Sequence, residues 1–93
     1  MSDPNRTMQD VLQERIVTIQ KISEATAEHL RLMQRQGGIQ VLNLVDGEDA
    51  QNATDLDRTE KALDGCEATI AALERRLGEL DREIEAMADG GPV

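Results

Sequence analysis

Among the residue types that carry most enzyme chemistry, the 93-residue chain holds one cysteine, Cys66, one histidine, His29, and nineteen Asp and Glu against ten Lys and Arg. One Cys and one His cannot close a zinc site of four such ligands, and a lone cysteine has no intrachain disulfide partner. The carboxylates of the second half alternate with Arg58, Lys61, Arg75, Arg76 and Arg82, the pattern of a solvated helix face rather than of a paired acid and base. The sequence contains no P-loop, no dinucleotide glycine fingerprint and no Glu-x-x-His pair. Gly90-Gly91 is followed by Pro92-Val93 and reads as a helix stop. Phe, Tyr and Trp are absent, which removes the side chains that contribute most area to a core and to small-molecule pockets. The expectation is a chain that is not an enzyme and calls for no cofactor and no metal.

One group of acids stands apart: Asp46, Glu48, Asp49, Asp55 and Asp57 follow one another with no base between them. In outline this resembles the bacterial factors that insert a coiled-coil tip into the RNA polymerase secondary channel. Asp46-x-x-Asp49 fits their Asp-x-x-Asp-x-Ala pattern, with Gln51 standing where the alanine is expected, and the C-terminal domain those factors carry is not among these residues. The resemblance implies a tip whose acids act near a catalytic magnesium. Read from the residues alone, the same acids are a solvated helix start favoured by the macrodipole.

The net charge of −9 is unevenly placed: residues 1–45 hold five acids and five bases, residues 46–93 fourteen acids and five bases. Such a chain is repelled by phosphate backbones and anionic bilayers, so neither direct nucleic-acid nor membrane binding is expected. The opening Met-Ser-Asp-Pro lacks the basic start and apolar run of a signal peptide. With its single cysteine, the chain reads as cytoplasmic.

These features must be positioned by helices. Leu56, Leu63, Ile70, Leu77 and Ile84 recur every seven residues, with Thr59, Cys66, Leu73, Leu80 and Met87 three residues after each. These are the a and d positions of a coiled coil, and they predict a helix over about 55–88 with a left-handed supercoil. Its start is open between Gly47 and Thr54–Asp55. Asp3 and Pro4 suit an N-cap and first helical residue, and Gly37-Gly38 suits a stop, which predicts a first helix over about 4–36 and a connecting segment over 37–54. Leu12, Ile16, Ile19, Leu30 and Met33 line one face of that helix, with Ser23 and Thr26 at its waist. Val11, Ile22, Ala25, His29 and Leu32 broaden the stripe, so helix 1 is expected to touch more than one neighbour.

The reading is all-α: one antiparallel helical hairpin, completed into a bundle by self-association or by a protein partner. The acidic row Glu60, Glu67, Glu74 and Asp81 is expected opposite Gln13, Gln20, Ala27 and Gln34, and Ser23 and Thr26 level with Cys66 and Thr69. Cys66 reads as a small buried hydrophobe, or as a thiol meeting its copy across a parallel dimer. The uncharged run Ile39-Gln-Val-Leu-Asn-Leu-Val45 reads either as a short element capping the open end of the bundle or as a docking segment, through Ile39, Val41, Leu42 and Leu44. The function expected is protein–protein interaction by coiled-coil packing, as assembly component, adaptor or small chaperone. In outline it is similar to small hairpin co-chaperones of secretion systems and minor phage structural proteins. The alternative is an acidic regulator that inserts its tip, or its acidic helix, into a basic cleft such as a polymerase channel.

Overall fold

The computed structural model describes residues 6–47 and 50–89. Two helices, α1 over Met8–Asp46 and α2 over Ala50–Asp89, pack antiparallel as a hairpin 70 Å long and under 20 Å thick. Most helical stability in proteins comes from packing of an amphipathic face rather than from propensity, and here the two helices pack along a shared seam.

Helix α1 starts four residues later than the Asp3-Pro4 pair suggests, and those two residues lie outside the described ones. Thr7 is the N-cap. Its Oγ1 accepts a bond from the Asp10 backbone N–H while the Asp10 carboxylate accepts one from the Thr7 N–H, both 3.1 Å. This reciprocal box satisfies two donors that a helix start leaves unpaired. The Thr7 backbone N–H, and after it the Thr7 hydroxyl, hold the Asp10 carboxyl below its ordinary value.

The expected stop at Gly37-Gly38 is overturned: α1 runs through both glycines to Asp46 and closes at Gly47, which has φ +79°. The reason is tertiary. Val11, Thr18, Ala25, Leu32 and Ile39 repeat every seven residues, and the last of them is buried. Packing of Ile39 beyond the glycines outweighs their cost, about 1 kcal/mol each relative to Ala. The connecting segment therefore shrinks from 37–54 to 47–49, and residues 39–45 are neither strand nor loop but the last turns of α1. Helix α2 begins at Ala50, between the two starts left open; Gly47 closes α1 instead, and Thr54 is interior, its Oγ1 donating to the Ala50 carbonyl.

The seam on α2 is the heptad line read from the sequence. Thr59, Leu63 and Leu80 are buried, and Leu56, Cys66, Ile70, Leu73, Leu77, Ile84 and Met87 are half-buried. The Cys66 thiol donates to the Ala25 carbonyl at 3.1 Å, which sets the register. Stepping one heptad in opposite directions along the helices brings Thr18 level with Leu73, Val11 with Leu80, Leu32 with Thr59 and Ile39 with Asn52. Val11 and Leu80 are fully buried. Ser23 and Thr26 do lie at the level of Cys66, as expected, but both point outward; Ala25 meets the thiol, which is half-buried.

Candidate protein-interaction face

The partner face of α1 is not the one its largest apolar residues form. Val11, Thr18, Ile22, Ala25, Leu32 and Ile39 turn toward α2, whereas Leu12, Ile16, Ile19, Leu30 and Met33, the line first read as the main stripe, are all exposed. The two lines lie about 100° apart on a helical wheel. The inner line carries the small Thr18 and Ala25 near its middle, and Leu12, Ile16, Ile19, Leu30 and Met33 are left on the outside.

The outer line has its own heptad spacing. Positions 9, 16, 23, 30, 37 and 44 alternate with 12, 19, 26, 33 and 40 in steps of three and four, the spacing of a second coiled-coil seam. Leu30 is 57% and Ile16 52% exposed. Val41, Leu42, Leu44 and Val45 continue exposed apolar surface to the hairpin tip, Leu44 at 86%. Of the docking candidates, then, Val41, Leu42 and Leu44 are open to solvent, while Ile39 is committed to the hairpin and Ile22 and Leu32 are half-buried against α2. A monomer rarely leaves so long an apolar stripe wet without a use for it.

The charged groups brace the hairpin. On the side away from the outer stripe, Glu14 accepts two bonds from the Arg76 guanidinium, Nε to Oε2 at 2.7 Å and Nη2 to Oε1 at 2.9 Å. Arg6 also donates to Glu14 and lies beside Glu83, and Arg76 reaches Glu79 at 3.1 Å. This two-pronged carboxylate–guanidinium contact fixes orientation as well as charge. The Arg76 bonds hold the Glu14 carboxyl below its ordinary value, and the same contact raises Arg76.

On the other side, Arg15 pairs with Asp81 at 2.7 Å and His29 with Glu67 at 3.2 Å. The acidic row therefore faces the line of Arg15 and His29 and not Gln13, Gln20, Ala27 and Gln34, which are exposed. His29 is an interface residue within the hairpin. A shallow depression of about 240 Å³ beside it is lined by Met33, Glu60, Leu63 and Glu67, and it shows that the acidic row borders the outer stripe.

Among the described residues no group of three His, Cys, Asp or Glu is placed to hold a metal ion, and no helix is long and apolar enough to cross a membrane. Of the expected acidic tip, Glu48 and Asp49 lie outside the described residues, and Asp46 is the last residue of α1. By architecture the chain is a two-helix antiparallel hairpin. No family model matches it, and no curated protein and no solved structure matches it.

Proposed function

We propose that this chain is a non-enzymatic protein–protein interaction module that presents the outer face of α1 to another helical surface. One observation supports the reading above all: the bulkiest apolar line on α1 is spaced as a coiled-coil seam, yet it is exposed while a smaller-residue line packs on α2. A helix–helix contact there buries Leu12, Ile16, Ile19, Leu30 and Met33 together, and hydrophobic burial supplies the driving force. The acidic surface of α2 discourages nucleic acid and directs contact to the uncharged face.

The test is a photo-cross-linking residue at position 30 in the intact chain within its native cells. Cross-links from position 30 to a polypeptide, whether another copy or a different protein, are expected, together with their loss in Ile16→Asp. Cross-linking no stronger than from an outward position on α2, such as Lys61, overturns the reading.

A further inference from the structure

The outer line of α1 reads nearly the same in both directions about a point between Ser23 and Thr26. Running outward from that point, Ser23 mirrors Thr26, Ile19 mirrors Leu30, Ile16 mirrors Met33, Leu12 mirrors Gly37, and Gln9 mirrors Gln40. A face with this symmetry is complementary to itself when one helix is turned end for end, which is the relation of an isologous two-fold contact. From this we infer that the face is covered by a second copy of the chain, with the two α1 helices antiparallel and their dyad passing between Ser23 and Thr26. The inference rests on the interaction-module reading and names the partner.

Three further observations favour a second copy in this orientation. First, the outer line and the row beside it, Gln13, Gln20, Ala27, Gln34 and Val41, contain no charged side chain from Gln9 to Leu44. Along this strip the α1 helices of two chains of net charge −9 can meet with no like charges set directly against each other. Second, Gly37 lies on this line although nothing in the chain comes within 4 Å of where its Cβ would be. No contact within the hairpin requires a glycine there, whereas the antiparallel register sets Leu12 of the other copy against it, bulk against space. A parallel pairing sets Gly37 against Gly37 and leaves a gap, which costs stability.

Third, the antiparallel arrangement puts the two hairpin tips, with Asp55 and Asp57 near each, at opposite ends of a rod 70 Å long, and it opposes the α1 macrodipoles. The dyad also places the two α2 helices on one side of the α1 pair, since the inner and outer lines of α1 are about 100° apart. The result is a square four-helix bundle. Its α2 helices then approach through the side bearing Glu60, Glu67 and Glu74, so salt tightens the assembly.

The experiment uses the full chain with Cys66→Ala as background and introduces Gln9→Cys or Gln40→Cys, both at exposed positions about 46 Å apart along the helix at 1.5 Å per residue. Sedimentation equilibrium should give twice the 10.2 kDa chain mass for the unsubstituted protein at micromolar concentration, and the monomer mass for Ile16→Asp with its helical circular dichroism retained. On oxidation, a mixture of the two cysteine variants should form the mixed disulfide, and each variant alone should form little. Disulfides within each variant alone, without preference for the mixed species, overturn the antiparallel register. A helical monomer throughout the micromolar range overturns the second-copy inference; if position 30 still cross-links to a different protein in cells, the interaction-module reading survives it.

Discussion

The two faces of α1 divide bulk and commitment in opposite ways. The inner face carries Thr18, Ala25, Arg15, His29 and Gln36 among its apolar residues and is the one packed on α2; the outer face carries Leu12, Ile16, Ile19, Leu30 and Met33 and is left exposed. Hydrophobicity alone therefore does not choose the partner face. The inner face wins within the hairpin because it offers what α2 can match: the Ala25 carbonyl for the Cys66 thiol, Glu14 for Arg76 and Arg15 for Asp81. Ion pairs and the small Thr18 and Ala25 mark the inner face, and the bulk is left exposed.

The sharpest way to break this division is to damage each face in turn. Leu80 is fully buried, and Leu80→Ala removes the packing that closes the open end of the hairpin, at a cost of about 2–5 kcal/mol. Thermal melts followed by circular dichroism should show the loss at every protein concentration. Ile16→Asp acts differently: the exposed site leaves the hairpin's own stability within about 0.5 kcal/mol, while it abolishes the part of the melting temperature that rises with concentration through association. Equal effects of the two substitutions in dilute solution would mean that the outer face belongs to the hairpin after all.

A smaller effect separates charge from bulk on the inner face. Glu14→Gln removes the carboxylate that receives Arg76, and for partly exposed groups this costs about 1 kcal/mol at most. The Glu14 carboxyl lies below its ordinary value of 4.5 in the folded chain because Arg76 donates to it. Its contribution is therefore complete above pH 4.5 and disappears as the pH falls through the lowered native value. Denaturant titrations of both proteins should show a stability gap at pH 7 that closes on acidification below 4.5. A gap that persists there assigns the loss to shape and not to charge.

Salt probes the outer contact and should leave the inner one little changed. Raising ionic strength from about 0.01 M to about 0.15 M shortens the screening length from roughly 30 Å to roughly 8 Å. The repulsion between the α2 acids of two copies then falls, and sedimentation should report a lower dissociation constant. Weaker association on adding salt would point instead to attraction between opposite charges, as the acidic-regulator reading requires.

The hairpin and the α2 seam were legible because a seven-residue repeat of Leu and Ile over five heptads has one physical solution, a helix with a covered edge. The inner line of α1 was harder to see. Its period is as strict, but Thr18, Ala25 and the polar residues beside them carry little hydrophobic signal, so the bulkier outer line dominated the reading. The broad stripe contains both lines, and α2 covers one of them. The length of α1 was misread at Gly37-Gly38 because local propensity marks a stop there, and only the burial of Ile39 one heptad beyond Leu32 shows why the helix continues. The start was misread for a related reason: Asp3-Pro4 is a good cap by composition, but Thr7 and Asp10 satisfy each other reciprocally.

Those two glycines also offer the finest cut between the faces, because they are adjacent in sequence yet stand differently toward a second copy. Neither has anything within 4 Å of where a Cβ would sit, and both are helical, so Ala at either position should stabilise the hairpin by about 0.5–1 kcal/mol through helix propensity. Gly38 lies off the outer line, and Gly38→Ala should raise the melting temperature with the dissociation constant unchanged. Gly37 lies on the line, opposite Leu12 of the other copy in the antiparallel register. Gly37→Ala should keep the gain in hairpin stability measured in dilute solution, but weaken association as the added methyl group crowds that leucine. Association unchanged in both variants would detach Gly37 from the contact and with it the register that pairs Leu12 with an open site.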